Sequence, residues 1–269
     1  MTQEILLSPE ALEKRCRLVE LRSELADLFE KRDSMVSQEE PHLTALYIEL
    51  IGKLQYKEFA LRVEVMKLRR KHQLIQSSLN RGERPDMVLV EQTLEVEFVE
   101  YKAQIEAQAE ALKAAKSYLS APLMSEEDFS DLKRIYRILI KRLHPDWNTD
   151  LSEEKKELFV RAQAAYKSKD VQELRNILLM LDAEDVPQIK EETIDDDIAR
   201  LEQSLEDLRS RIDKLNASFP FDHREKLYDK NWIQQKQTEI KDSIERLTEE
   251  KEKWQVFIFA QTGVNIGEA

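Results

Sequence analysis

Apolar residues recur at spacings of three and four through most of this chain, with charges between them, and this pattern predicts long amphipathic helices throughout. From Ala11 to about Lys31 the stripe runs Leu18, Leu21, Leu25, Leu28, as in one strand of a coiled coil. Ser37 with Glu40 reads as a capping box and Pro41 suits a first turn, so a second helix is expected to start there. Its stripe is Tyr47, Leu50, Leu54, Leu61, Val65, Leu68, Ile75, Leu79. The segment from Gly82 to Pro85 predicts a turn, and Leu94, Phe98, Tyr101, Ile105, Gln108, Leu112, Ala115 and Leu119 form the next stripe. Gln108 is its one polar member, either a register-setting residue or a wet spot. Short turns between long helices predict that they fold back antiparallel, giving an elongated three-helix bundle over residues 1–120. Near the other end, Ile194, Ile198, Leu201, Leu205, Leu208, Ile212 and Leu215 make the cleanest heptad. Phe219-Pro220-Phe221 interrupts it, and Ile233, Ile240, Ile244, Leu247, Trp254 and Ile258 resume it up to Gly263. An antiparallel hairpin over 194–262 is the expectation.

The stretch between these coils differs in kind. Leu132, Ile135, Leu139 and Leu143 share one helical stripe, which pushes Lys133, Arg134, Arg137, Lys141 and Arg142 mainly to the other side. Pro145 disfavours helical geometry at His144, so this basic helix is expected to end there, with His144 and Asp146 in the loop beyond. Ser125 with Asp128 reads as its N-terminal cap. A face of this kind attracts an acidic partner.

The 269 residues, 41% hydrophobic and 36% charged, suit one or two soluble, helix-rich domains, and only four glycines and seven prolines leave little material for a turn-rich sheet protein. The fold class expected is therefore all-α. A formal charge of −12 argues against general nucleic-acid binding despite the local basic helix. Cys16 is the only cysteine, so neither an intrachain disulfide nor a cysteine zinc site can form. The start lacks a basic leader and an apolar core, and no stretch approaches the ~18 apolar residues of a membrane span, so a cytoplasmic protein without membrane contact is expected. The four histidines lack ligand spacing and the scattered glycines form no phosphate loop; no metal, cofactor or nucleotide is expected. His144 and Asp146 lie close together, but no nucleophile accompanies them, so an enzyme is not expected.

The residues around His144-Pro145-Asp146 resemble the J-domain of DnaJ-type co-chaperones, whose signature is a basic second helix ended by His-Pro-Asp, a loop, and an antiparallel third helix. Tyr136-Arg137 followed by Leu139 is similar to that family's Tyr-Arg/Lys-x-Leu, and Asn148 fits its His-Pro-Asp-x-Asn. Phe159 and Ala165-Tyr166 stand where the family has the packing face of helix three. The resemblance covers about sixty residues, within a J-domain-like unit placed at 121–183. Three departures stand out. Lys116-Ser117-Tyr118-Leu119-Ser120 replaces the family's Tyr-x-x-Leu-Gly, so the end of the preceding long helix, through Tyr118 and Leu119, is expected to substitute for helix one. Trp147 follows the Asp where a Lys or Arg is usual, as a partner anchor or as packing over helix three. Val171, Leu174, Ile177, Leu178 and Leu181 add a short amphipathic fourth helix.

The resemblance implies a co-chaperone that docks on a DnaK-type chaperone and stimulates its ATPase, all phosphoryl chemistry belonging to the partner. Lys133, Arg134, Arg137, Lys141, Arg142, His144, Pro145, Asp146 and Asn148 would form the chaperone-binding surface. Without a cysteine-rich zinc module or a Gly/Phe-rich linker, it would belong to the class that joins a J-domain to other segments, which here would recruit a protein client or set location. The alternative is a coiled-coil scaffold, self-associating through its heptads, in which the J-like unit is only a brace. An acidic linker is placed at 184–193. Glu184, Asp185, Glu191, Glu192, Asp195, Asp196 and Asp197 form either a solvated tether or a shield over the basic helix.

Overall fold

A computed structural model describes residues 8–146, 148, 151–181 and 193–263. The chain is all-α, with no strand among the described residues. Its helices are α1 (Pro9–Ser34), α2 (Glu40–Tyr47), α3 (Lys53–Asn80), α4 (Met87–Glu97), α5 (Val99–Ser120), α6 (Glu126–Leu143), α7 (Glu153–Lys167), α8 (Val171–Met180), α9 (Ile194–Asn216) and α10 (Lys230–Thr262). None is long and apolar enough to cross a membrane.

The break expected at Ser37 is absent. The backbone stays helical there as a π turn over Met35–Glu39. In such a turn the Glu40 amide reaches back five residues to the Met35 carbonyl, and the wider ring gives the Pro41 side chain room that a regular α-helix denies it. Ser37 is therefore not a cap; its hydroxyl donates to the carbonyl of Asp33 at 2.6 Å. A second π turn spans Ile48–Gly52, and Gln237 donates to the Leu50 carbonyl inside it at 2.8 Å.

The chain divides into two compact units, each assembled from separated segments: Met1–Pro41 with Pro122–Asp222, and His42–Ala121 with His223–Ala269. This grouping differs from the contiguous segments that the patterns suggest. In the first unit α1 packs on both α6 and α9, and α6, α7 and α8 pack on one another. Lys14 pairs with Asp195, Arg17 with Glu202 and Glu24 with Arg209, so α1 and α9 run parallel. Leu18, Leu21, Leu25, Ala26 and Phe29 of α1 are buried, as are Leu201, Leu205, Leu208 and Ile212 of α9.

In the second unit α3 packs on α4, α5 and α10. Arg70 meets Glu97 and Lys71 meets Glu91, while α5 returns along α3 to the second π turn. Ser243 donates to Glu58, Lys251 pairs with Glu64, and Gln261 donates to Gln76, so α10 runs parallel to α3. Ile258 and the half-buried Trp254 close a small core over Leu68 and Ile75. The partners thus differ from the expected ones: α10 takes the place in the three-helix bundle expected for α1, and α9 finds its seam on α1 rather than in a hairpin with α10. Amphipathic faces of similar width compete for partners, and the broad stripe of α1 serves both α6 and α9. Gln108 stays in solvent; half-buried Ile105, Ala109 and Leu112 lead to buried Ala115 instead.

Candidate functional site

Ser125 caps α6, accepting from the Asp128 amide at 3.1 Å while its hydroxyl donates to the Asp128 carboxylate at 2.8 Å. Leu132, Ile135, Leu139 and Leu143 are buried, as the stripe predicts, and Tyr136 and Ile140 join them. The helix ends at His144, whose extended ψ of 130° is the geometry favoured before proline. Asn148 completes the end: its Nδ2 donates to the carbonyls of Arg142 and His144, each at 3.0 Å. Those carbonyls belong to the set that a helix C-terminus leaves without intrahelical donors. Asn148→Ala is expected to cost about 1–2 kcal/mol and to fray the last turn of α6, read as faster amide exchange there; unchanged protection would show that water replaces the cap.

The α6–α7 pair is antiparallel, since His144 meets Phe159 at 5.2 Å and Tyr136 stacks on Tyr166 at 4.0 Å. Both tyrosines are buried, and each donates to a carboxylate of α1: Tyr136 to Asp33 and Tyr166 to Glu30, both at 2.6 Å. Burial, with the adjacent carboxylates, raises both phenol pKa values above their ordinary one, so the pair is neutral. The place expected for the end of α5 is taken by α1. Tyr118 is exposed and Leu119 half-buried in the other unit. The buried stripe of α1, Leu18, Leu21, Leu25, Ala26 and Phe29, is longer than the one the alanine-rich last turns of α5 offer.

His144 is only 8% exposed. Its ring lies 4.0 Å from that of Phe29 and meets Phe159 edge-on at 5.2 Å. Nδ1 accepts from the Asp146 amide at 3.2 Å, which fits a neutral imidazole protonated on Nε2. Burial lowers its pKa to about 4, against the opposing pull of the Asp146 carboxylate 3.7 Å away, and Arg32 lowers it further. Pro145 is exposed and the Asp146 side chain is 38% exposed, so part of the turn faces solvent. Trp147 lies outside the described residues.

The basic residues separate into two groups. Lys133, Arg137 and Lys141, one stripe of α6, face α1: Lys133 lies 3.8 Å from Glu30 and over the Phe129 ring, Arg137 lies 3.3 Å from Asp27, and Lys141 donates to Ser23 at 2.9 Å. Arg134 is exposed and pairs at 2.9 Å with Asp131, which also takes Arg175 of α8. The two guanidinium groups hold the Asp131 carboxyl below its ordinary pKa. Arg142 is half-buried. The α1 partners Ser23, Asp27, Glu30 and Asp33 were not anticipated, because they lie more than a hundred residues away. The available signal was the acidic run Asp27, Glu30, Asp33, spaced by three, facing a basic stripe spaced by four.

The acidic segment is described only from Thr193 onward. There Asp195 pairs with Lys14 of α1 and Asp197 with Arg200 of α9. Glu184, Asp185, Glu191 and Glu192 lie outside the described residues. No family model, curated protein or solved structure matches this chain.

Proposed function

We propose that this protein is a J-domain-type co-chaperone that docks on a DnaK-type chaperone in the cytoplasm and stimulates its ATP hydrolysis, with the second unit recruiting a protein client or setting location. The observation that carries this reading is the turn at the end of α6. There a basic amphipathic helix stops at His144, its last carbonyls are capped by Asn148, and Pro145 with the Asp146 carboxylate is presented to solvent above an antiparallel α7. A half-exposed carboxylate on a proline-braced turn at the end of a basic helix is an arrangement that orients a charged partner and biases its conformational equilibrium.

A scaffold without chaperone activity, self-associating through its coils, has one observation in its favour: α1 engages the Lys133, Arg137 and Lys141 stripe and offsets part of its charge. Stimulation of a DnaK-type ATPase in single-turnover assays separates the two. His144 is buried, so its replacement reports on packing as much as on docking. The half-exposed Asp146 is the cleaner probe. Wild type is expected to stimulate hydrolysis and Asp146→Asn to lose at least tenfold of that stimulation, with an unchanged circular-dichroism melt. No stimulation by wild type, or equal stimulation by Asp146→Asn, would refute the co-chaperone reading, and stable self-association alongside would favour the scaffold.

A further inference from the structure

We infer that the outward face of α4 and the first turn of α5 is a docking surface for a basic amphipathic helix. At about 100° per residue, Met87, Val90 and Leu94 fall on one side of α4, where Val90 and Leu94 are buried and Met87 packs toward the core beside Leu68 and Ile75. Val88, Leu89 and Val96 fall on the opposite side and are 68%, 60% and 76% exposed; Val99, just past the break at Phe98, is 61% exposed. This helix is apolar on both sides while the fold covers one. A helix with apolar residues all round is normally enclosed, and a contiguous exposed apolar patch marks an interaction site.

The charge around the patch selects the occupant. Residues 87–102 contain four glutamates, Glu91, Glu95, Glu97 and Glu100, against one cation, the exposed Lys102. Lys71 takes Glu91 and Arg70 takes Glu97. Glu95 and Glu100 are exposed and enter no ion pair among the described residues. The patch is thus an apolar stripe bordered by two carboxylates, complementary to a helix with leucine-like residues at spacings of three and four and flanking lysines or arginines. A second copy of the same face would bring its own unpaired Glu95 and Glu100 against these, with Lys102 offsetting only one of the two. The C-terminal stretch Val264-Asn265-Ile266-Gly267-Glu268-Ala269 adds another carboxylate and no cation. A basic helix from another protein fits where they do not, and this inference holds whether or not α6 binds a chaperone.

The test is fluorescence anisotropy of a labelled 18-residue peptide with leucine and lysine at amphipathic helical spacing, titrated with the full chain. Leu89→Ser/Val96→Ser and Glu95→Lys/Glu100→Lys are each expected to weaken binding at least tenfold. Both alter only exposed side chains, so thermal melts should match wild type. A scrambled peptide of identical composition is expected to bind at least tenfold more weakly. Binding of the variants within twofold of wild type would overturn the inference, as would equal binding of the scrambled peptide or of a leucine/glutamate analogue. A dimer seen by sedimentation that disappears in Leu89→Ser/Val96→Ser would overturn it too, by making a second copy the occupant.

Discussion

Truncating Phe29 to alanine is expected to destabilise the first unit by about 3–4 kcal/mol, the range for removing a buried aromatic side chain. Phe29 is buried on α1, lies against His144 and has the Arg32 guanidinium 5.0 Å from its ring centre. The vacated volume sits where α1 meets the end of α6, so the surrounding helices cannot close it without moving the Tyr136–Asp33 and Tyr166–Glu30 hydrogen bonds. Removing the ring also admits water to the imidazole, and its pKa should rise toward the ordinary histidine value. The measurement is hydrogen exchange of the buried α6 amides under increasing urea, because a chain of two compact units need not unfold in one transition. A loss below ~1 kcal/mol would mean that α1 rests loosely on α6 and does not complete its core.

Acidification gives the second large effect. The folded-state pKa of His144 is about 4, below the ordinary histidine value of about 6.5, so between these limits the unfolded chain binds the extra proton. Stability is fully present above about pH 6.5 and is lost as the pH falls through that window, by about 3 kcal/mol at most for this one group. The carboxylates whose pKa values are lowered by hydrogen bonds to the charged form, Asp131 from Arg134 and Arg175, Glu97 from Arg70, Glu239 from Lys236 and Gln235, and Glu250 from Trp254 and Arg69, add their losses at lower pH. Unfolding free energies at pH 7.5 and 4.5 should therefore differ by more in wild type than in His144→Asn, whose amide oxygen can still accept from the Asp146 amide. Equal pH slopes in the two proteins would place the acid sensitivity elsewhere. In a co-chaperone this dependence would weaken the very turn that meets the partner.

Several local features of both units could be read from residues in sequence. Ser125 and Asp128 cap α6, Pro145 ends it, Gly263 ends α10 with a positive φ of 68°, and the buried faces of α6 and α9 follow the apolar spacing. Ser37, Glu40 and Pro41 misled for a specific reason. They carry the composition of a helix start, yet a π turn accommodates the proline inside continuing helix. Asn148 could be picked out by likeness to a motif, but its work as a cap for two carbonyls depends on loop geometry. The basic residues of α6 were visible one by one, while their separation into a stripe engaged by α1 and an outer group around Asp131 was not.

The amino-acid order alone determined that the chain is helical, which side of most helices is apolar, and where a basic helix must stop, because periodicity, capping and proline act over a few residues. Only the tertiary structure decided that α1 covers His144 and the Tyr136–Tyr166 pair, that α9 joins α1, and that α10 joins α3. Amphipathic stripes state how much surface a helix must bury without naming the partner. That choice rests on matching area and charge between segments separated by more than a hundred residues.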